Sequence, residues 1–348
     1  MDSRERKMQL LKPLPRPETV QFYGNSGVGK TTLAYYLSMW MYENFGLTTR
    51  VISNDLGGWG PLESEGLIEA GIVEAFNVSG RKFLLSDMRK LSRGWWPKIV
   101  KQEREVEQPD GTTVTKIVNV REILEDRGAL SKVGLYFLEG STTTSTSFLR
   151  HITKTKEKIG AQDTAGKYEE EGEQFGGNSQ GHYNIVQTEM HNLYSAFGAL
   201  PSPVRLVAWT GHIGKGTLKR SGESCYAPQL AGDAKNSEVP SWVGDCFHLD
   251  DTPEVMGEDG ELIQAKQVRA YYTNHPDRET GVNYLCKSRV GPTGVEELKE
   301  EFPGGFVPLG LERGKSIDSY FSWLEKRRSK NAVDLKKWKE GLDNGRIL

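Results

Sequence analysis

The run Gly24-Asn25-Ser26-Gly27-Val28-Gly29-Lys30-Thr31 spells a complete G-x-x-x-x-G-K-[ST] phosphate loop, and it constrains this chain more than any other feature. Such a loop works as the bend between a buried strand and the helix that follows. Its glycines let successive backbone N–H groups converge on phosphate oxygens, and the helix N-terminus adds its dipole. Both flanks are present: Thr19-Val20-Gln21-Phe22-Tyr23 reads as a short buried strand, and Thr31 to Tyr42 (TTLAYYLSMWMY) as an apolar-rich helix. The spacing points to a nucleoside triphosphate site. The loop backbone faces the α- and β-phosphates, Lys30 reaches the β/γ oxygens, the Thr31 hydroxyl can ligate Mg²⁺, and Thr32 is counted with the nucleotide-binding residues.

Composition sets the outer limits. The chain has 348 residues, 36% of them hydrophobic, enough for one large α/β domain with additions or for two small domains. No stretch approaches the ~18 apolar residues of a membrane span, and the opening MDSRERKMQLLKPLPRPE lacks the apolar core of a signal peptide. No membrane association and a cytoplasmic location are therefore expected. Cys225, Cys246 and Cys286 are far apart with no C-x-x-C spacing, which argues for reduced, mostly buried thiols rather than a disulfide scaffold or zinc ribbon. A formal net charge of −2 gives no global footprint for nucleic acid, so DNA binding would rest on local basic clusters.

Segments with strand character alternate with helical ones, the pattern of a mostly parallel sheet covered on both faces. Core strands are expected at Thr19–Tyr23, Arg50–Ser53, Val73–Asn77, Gly134–Leu138 and Val204–Trp209, with the reactive edge at their carboxyl ends. The charged insert Lys101–Lys116 holds Pro-Asp-Gly between alternating polar and β-branched residues and reads as a projecting hairpin. Gly160–Gly181, rich in Gly, Glu and Gln, reads as a mobile loop. After Pro240 the pattern looks antiparallel, with strands at Cys246–Leu249, Ala265–Thr273 and Val282–Ser288. From Ser316 onward, Ile317, Tyr320, Phe321 and Leu324 recur at helical spacing, followed by Lys326-Arg327-Arg328 and Lys336-Lys337-Trp338-Lys339. This basic, aromatic tail suits DNA or an acidic partner, and equally a solvated face whose aromatics pack on the core.

Further motifs follow the phosphate loop in order: Val51-Ile52-Ser53-Asn54-Asp55-Leu56-Gly57-Gly58, Leu135-Tyr136-Phe137-Leu138-Glu139-Gly140-Ser141, Val207-Ala208-Trp209-Thr210-Gly211-His212, Pro228-Gln229-Leu230-Ala231-Gly232-Asp233-Ala234-Lys235 and Lys287-Ser288-Arg289. This succession resembles the RecA-like ATPases, and within them the compact phage-encoded branch associated with recombination and single-strand annealing. The resemblance spans roughly residues 17 to 290 by motif order. It implies a RecA-like P-loop core with a mostly parallel central sheet, extended by C-terminal antiparallel strands and a helical tail. The implied organisation is an N-terminal extension (1–16), the ATPase core (17–290) and a basic helical tail (291–348).

The resemblance also implies roles. Asp55, where the family usually has Glu, would polarise the attacking water; the shorter side chain implies slow turnover, and a turn aspartate capping Gly57-Gly58 is the plainer reading. Glu139 stands where a Walker B aspartate is usual and would orient Mg²⁺ with Thr31, or else is a solvated strand-end residue. The Ser141–Thr146 run offers hydroxyls for helix capping or phosphate contact. His212, which also reads as an ordinary strand-end histidine, would sense the γ-phosphate and pass that state to Ile213–Pro228, a Gly-spaced flexible loop whose Lys215, Lys219 and Arg220 could track a nucleic-acid backbone. Lys235, Lys287 and Arg289 would approach the γ-phosphate of a neighbouring subunit, which implies a homo-oligomer with sites at its interfaces; each also reads as an ordinary solvated cation.

Two functions are in play. One is an ATP- and Mg²⁺-dependent ATPase acting on single-stranded DNA in phage-type recombination, annealing or replication. The other is a P-loop ATPase acting on a protein partner as an assembly or loading factor. A small-molecule kinase fits less well, because no compact arginine-rich lid lies between the motifs.

Overall fold

The computed structural model of the protein describes residues 16–54, 59–78, 84–107, 113–155, 180–252, 255–256, 262–264, 267–290, 292–309, 317–327 and 330. The chain enters with β1 (Glu18–Gly24), buried from Val20 to Gly24, and passes through the phosphate loop into α1 (Thr32–Phe45). Gly46 ends α1 in the left-handed region, at φ 65°, with its N–H on Tyr42 O at 2.8 Å. Next come β2 (Thr48–Ser53), α2 (Gly60–Ser64), β3 (Val73–Asn77), α3 (Leu84–Leu91) and a long ribbon of β4 (Trp96–Glu107) with β5 (Thr113–Leu124). One turn, α4 (Arg127–Leu130), returns the chain to β6 (Val133–Glu139), α5 (Ser141–Thr155), α6 (Gln180–Phe197) and β7 (Leu206–Gly211). An excursion through β8 (Ile213–Thr217), β9 (Ser224–Pro228), a 3-10 helix (Asp233–Glu238) and α7 (Val239–Trp242) precedes β10 (Asp245–Thr252). The short ribbon β11 (Val255–Met256) and β12 (Leu262–Gln264) leads to β13 (Gln267–Tyr271), β14 (His275–Pro276) and β15 (Asn283–Tyr284). Then come α8 (Pro292–Glu301), β16 (Phe306–Leu309) and α9, a helix over 317–327.

The main sheet has eight strands in the order β16-β13-β10-β1-β7-β6-β2-β3. From β10 to β3 every neighbouring pair is parallel, while β13 is antiparallel to both β10 and β16. The expected mixed α/β architecture with a large, mostly parallel sheet is therefore present.

Alternation along the strands sends side chains to two cores. On one face Val20, Phe22, Val51, Phe137, Ala208 and Phe247 meet α1, α8 and α9. On the other Tyr23, Ile52, Tyr136, Leu138, Val207 and Trp209 meet α3, α5 and α6. Each fully buried Leu or Phe contributes about 1.5–3 kcal/mol, so strands buried on both faces fix the sheet.

Several expectations change. β10 pairs antiparallel with β13, as expected, but its other edge is parallel to β1, with Val20 opposite Asp245 and Gly24 opposite Leu249. The excursion through β8 to α7 carries the chain back to the amino edge, so β10 enters in the same direction as β1, and its run Cys246 to Leu249 is buried throughout. The expected strand Val282–Ser288 is reduced to β15 and one antiparallel bridge, Cys246 to Lys287. The hairpin expected at Lys101–Lys116 is longer, paired from Trp96↔Leu124 to Glu107↔Thr113. Ile213–Pro228, expected as a flexible loop, is an antiparallel hairpin paired from Ile213↔Pro228 to Thr217↔Ser224.

The segment after 290 adds β16 to the main sheet, and Ile317, Tyr320, Phe321 and Leu324 are buried in its core. Residues 1–15, most of the expected loop at Gly160–Gly181 (156–179) and 331–348 lie outside the described residues.

Candidate nucleotide site

The phosphate loop leaves the carboxyl edge of β1 with Gly27 and Gly29 at φ 79° and 90°, a conformation that L side chains rarely adopt and that turns backbone N–H groups into a shared concavity. Val28 is buried beneath the loop, while Asn25, Ser26 and Gly27 are exposed above it. Gly24 is required by contact: a Cβ there would fall 2.6 Å from Leu249 O on β10. The Lys30 ammonium donates to Gly24 O at 2.9 Å and to Asn25 O at 2.6 Å, folded over its own loop.

Thr31 is the N-cap of α1, yet its hydroxyl makes no capping bond and instead donates to Glu139 Oε1 at the end of β6. Glu139 is 7% exposed, and its register partner is Ser53, the last residue of β2. A hydroxyl beside a buried carboxylate is a hard-oxygen donor set that suits Mg²⁺ next to a phosphate-binding nest. The residues present therefore fit a magnesium nucleotide, with Thr31 and Glu139 as the groups that would hold the metal. Asp55, two positions past Ser53, lies outside the described residues. Its neighbour Asn54 is buried and donates from Nδ2 to Ser147 Oγ at 3.0 Å.

His212 follows β7 directly, half-buried at the same edge. Its backbone N–H donates to Thr142 Oγ1 at 2.9 Å, and the Thr142 hydroxyl donates to Gln229 O at 3.0 Å. Ser145 Oγ accepts from Ala231 N–H at 2.9 Å, and Gly140 N–H donates to Thr210 Oγ1 at 3.1 Å. The first turn of α5, immediately after Glu139, is thus sewn to the root of the β8–β9 hairpin. The Ser/Thr run was expected to supply helix caps or phosphate contacts, and the signal for this further use is the density of hydroxyls directly after a strand-end carboxylate.

The expected nucleic-acid residues all lie on this hairpin. Lys215 is exposed on β8 and lines a cleft of about 540 Å³ with Thr217, Ser224, Tyr226 and Asp233. Lys219 and Arg220 are in the turn, and Lys219 is ion-paired with Glu238. Lys235 sits half-buried in the 3-10 helix, which the fully buried Asn236 pins by accepting from Leu230 N–H at 2.9 Å and donating to Lys215 O at 2.8 Å.

Lys287 and Arg289 stand elsewhere. The Lys287 ammonium donates to Pro240 O at 2.8 Å and Val243 O at 2.9 Å, and burial together with nearby Arg289 lowers its pKa. Arg289 donates its backbone N–H to Asp245 Oδ1 at 2.9 Å and its guanidinium to Ser241 O at 3.0 Å. These partners flank the start of β10, where Gly244 N–H meets Thr19 O, so within one chain they are about 17 Å of strand away from the phosphate loop. Asp245 itself is pushed up to about 6, mainly by burial.

No protein-family model matches the chain, and no curated protein matches it. Among solved structures it is similar to the flagellar accessory protein FlaH from Methanocaldococcus jannaschii, at 9% identity over 78% of this chain and 84% of that one, with a TM-score of 0.37. A likeness that distant carries no argument, so the site rests on its own geometry. Among the described residues no helix is long and apolar enough to cross a membrane.

Proposed function

We propose that this chain is a RecA-like P-loop ATPase that binds ATP with Mg²⁺, hydrolyses it slowly, and acts on single-stranded DNA as a homo-oligomer in phage-type recombination, annealing or replication. The observation that carries the reading is the hydrogen bond from Thr31 to Glu139. It brings a strand-end carboxylate against the metal-binding hydroxyl of a phosphate loop, although a whole strand, β7, separates their parent strands in the sheet.

In the reaction, water adds to the γ-phosphorus and the bond to the β–γ bridging oxygen breaks, giving ADP and inorganic phosphate. Bound Mg²⁺ supplies charge neutralisation on the phosphate oxygens. The loop N–H groups hold the phosphates, and Lys30 exchanges the Gly24 and Asn25 carbonyls for phosphate oxygen. Asp55, just past the strand that pairs with Glu139, orients the water. His212 reads the γ-phosphate, and Lys215, Lys219 and Arg220 meet the DNA backbone. Of the cations assigned to a neighbouring subunit's site, Lys287 and Arg289 reach it only by leaving the carbonyls of Pro240, Val243 and Ser241, so Lys235 carries that role.

A second reading, action on a protein partner, is favoured by one observation: Glu238 of the same chain already pairs with Lys219 and lowers the charge available to a DNA backbone. ATP hydrolysis with and without single-stranded DNA, with Lys30→Ala as control, separates the two. Stimulation by DNA that Lys30→Ala abolishes is expected. Hydrolysis indifferent to DNA, with no DNA binding at low salt, overturns the DNA assignment in favour of a protein partner.

A further inference from the structure

We propose that Thr142 is a positioning residue that passes the state of the nucleotide site to the β8–β9 hairpin, an inference that rests on the nucleotide-site reading above. Glu139, Gly140, Ser141 and Thr142 are consecutive, so the carboxylate that meets Thr31 and the hydroxyl that grips the hairpin belong to one short, braced turn. Gly140 makes the bend at φ 81°, and both its backbone groups are tied: its N–H to Thr210 Oγ1 at 3.1 Å, its carbonyl to Thr144 N–H at 2.8 Å. A shift of Glu139 therefore reaches Thr142 through a bonded turn without slack.

The Thr142 hydroxyl is used twice, and each bond goes to a different strand of the hairpin. It accepts from His212 N–H at 2.9 Å, just before β8, and donates to Gln229 O at 3.0 Å, just after β9. Gln229 N–H closes the triangle on His212 O at 2.8 Å, one step below the first rung Ile213↔Pro228. Ser145 adds a second clamp, accepting from Ala231 N–H at 2.9 Å and donating to Thr142 O at 2.8 Å. The approach is close enough that β7 must end without a side chain: a Cβ on Gly211 would lie 2.5 Å from Ser141 Oγ and 3.5 Å from Thr142 Oγ1. Beyond this root stand Lys215, Lys219 and Arg220. The hydrogen bond from Thr31 to Glu139, the backbone from Glu139 to Thr142, and the bonds from Thr142 to the residues flanking both hairpin strands form one contiguous path, as coupling between two sites through packed groups requires.

The test is hydrogen exchange of the full chain, read on hairpin amides over 213–217 and 224–228, with and without a non-hydrolysable ATP analogue and Mg²⁺. Wild type, Thr142→Val, which keeps shape and loses the hydroxyl, and Thr142→Ser, which restores it, are compared. Analogue binding is expected to change wild-type hairpin exchange at least about five-fold. Thr142→Val should bind the analogue within about two-fold of wild type yet lose most of that response, and Thr142→Ser should recover it. Ser145→Ala removes the second clamp and should weaken the response in the same direction, which keeps the relay refutable even if the valine variant does not fold. A full wild-type response in Thr142→Val, or nucleotide binding by wild type with no change in the hairpin, overturns the relay while leaving the nucleotide site standing. A wild-type chain that binds no nucleotide fails the underlying reading and takes the relay with it.

Discussion

The hydroxyl of Thr31 donates a hydrogen bond to Oε1 of Glu139 across 108 positions of sequence. Their strands are not neighbours in the sheet, since β7 lies between β1 and β6, so the bond forms above the end of β7 where that strand stops at Gly211. A carboxylate only 7% exposed is costly without hydrogen bonds or positive charge. Thr31→Val keeps the shape and removes this donor. It is expected to cost about 1 kcal/mol in chemical denaturation and to lower ATP hydrolysis at least about ten-fold. Unchanged hydrolysis would remove Thr31 from the metal side of the site.

Gly24→Ala tests the seating of the loop on β10. The added Cβ would lie 2.6 Å from Leu249 O, a backbone atom that cannot swing aside. The expected outcome is a loss of about 1–3 kcal/mol of stability, with nucleotide affinity falling because the loop shifts. Calorimetric unfolding and nucleotide titration of the same variant would show whether both move together.

Arg50, fully buried on β2, anchors the root of the β4–β5 ribbon. It pairs with Glu74 and Asp126, each at 2.8 Å, donates to Tyr136 OH at 3.1 Å, and lies 4.5 Å from the Trp96 ring centroid. Glu74 is 43% exposed and contributes little, whereas Asp126 is 11% exposed. Burial works against the Asp126 carboxylate, but hydrogen bonds from Lys98 and Arg50 hold its pKa below the usual range. Its stabilisation is therefore complete above the ordinary carboxylate pKa of about 4 and is lost as pH falls through the depressed folded value. Arg50→Met is expected to cost about 3 kcal/mol at neutral pH and to flatten this acid limb, measured by urea denaturation across pH. An equally steep limb in the variant would exclude the pair as its source.

The imidazoles of His248 and His275 sit 3.1 Å apart, Nδ1 to Nε2, with Tyr284 stacked on one and Tyr271 on the other, each at 3.7 Å between centroids. One proton fits between the two nitrogens, so one ring must accept. Burial, and then the neighbouring His275, pushes His248 down to about 3, and burial lowers His275 as well. Below the unfolded value of about 6.5 the unfolded chain binds protons that the folded chain refuses, so stability falls as pH drops from there toward 3. His248→Phe keeps the stack and removes the titration. It should lose about 1 kcal/mol at neutral pH and show a shallower stability slope between about pH 6.5 and 4. The same slope in both proteins would contradict the assignment.

What was legible in the sequence follows from what is local. Glycine spacing between an apolar strand and an apolar helix marks the phosphate loop, and the bounds of β3 are those expected from Val73–Asn77. The direction of β10 was not legible, because it depends on where the excursion after β7 returns the chain. The β8–β9 hairpin was hidden by Gly, Lys and Ser, which read as mobile even though Asn236 and Ser237 bond the carbonyls of Lys215 and Thr217 from the adjoining 3-10 helix. Thr142 was hidden by its own residue type: a threonine in the first turn of a helix looks like a cap, and only the return of His212 and Gln229 to the same point shows its other use. The anchoring of Lys287 on Pro240 and Val243 likewise depends on contacts more than forty positions away.

The most direct measurement is an equilibrium titration of a fluorescent ATP analogue with and without Mg²⁺, for wild type and Glu139→Gln. A site built on Thr31 and Glu139 predicts that Mg²⁺ tightens wild-type binding at least about ten-fold and that Glu139→Gln loses most of this gain while still binding the metal-free analogue. Wild-type affinity that is the same with and without Mg²⁺, or no binding at all, would contradict the account.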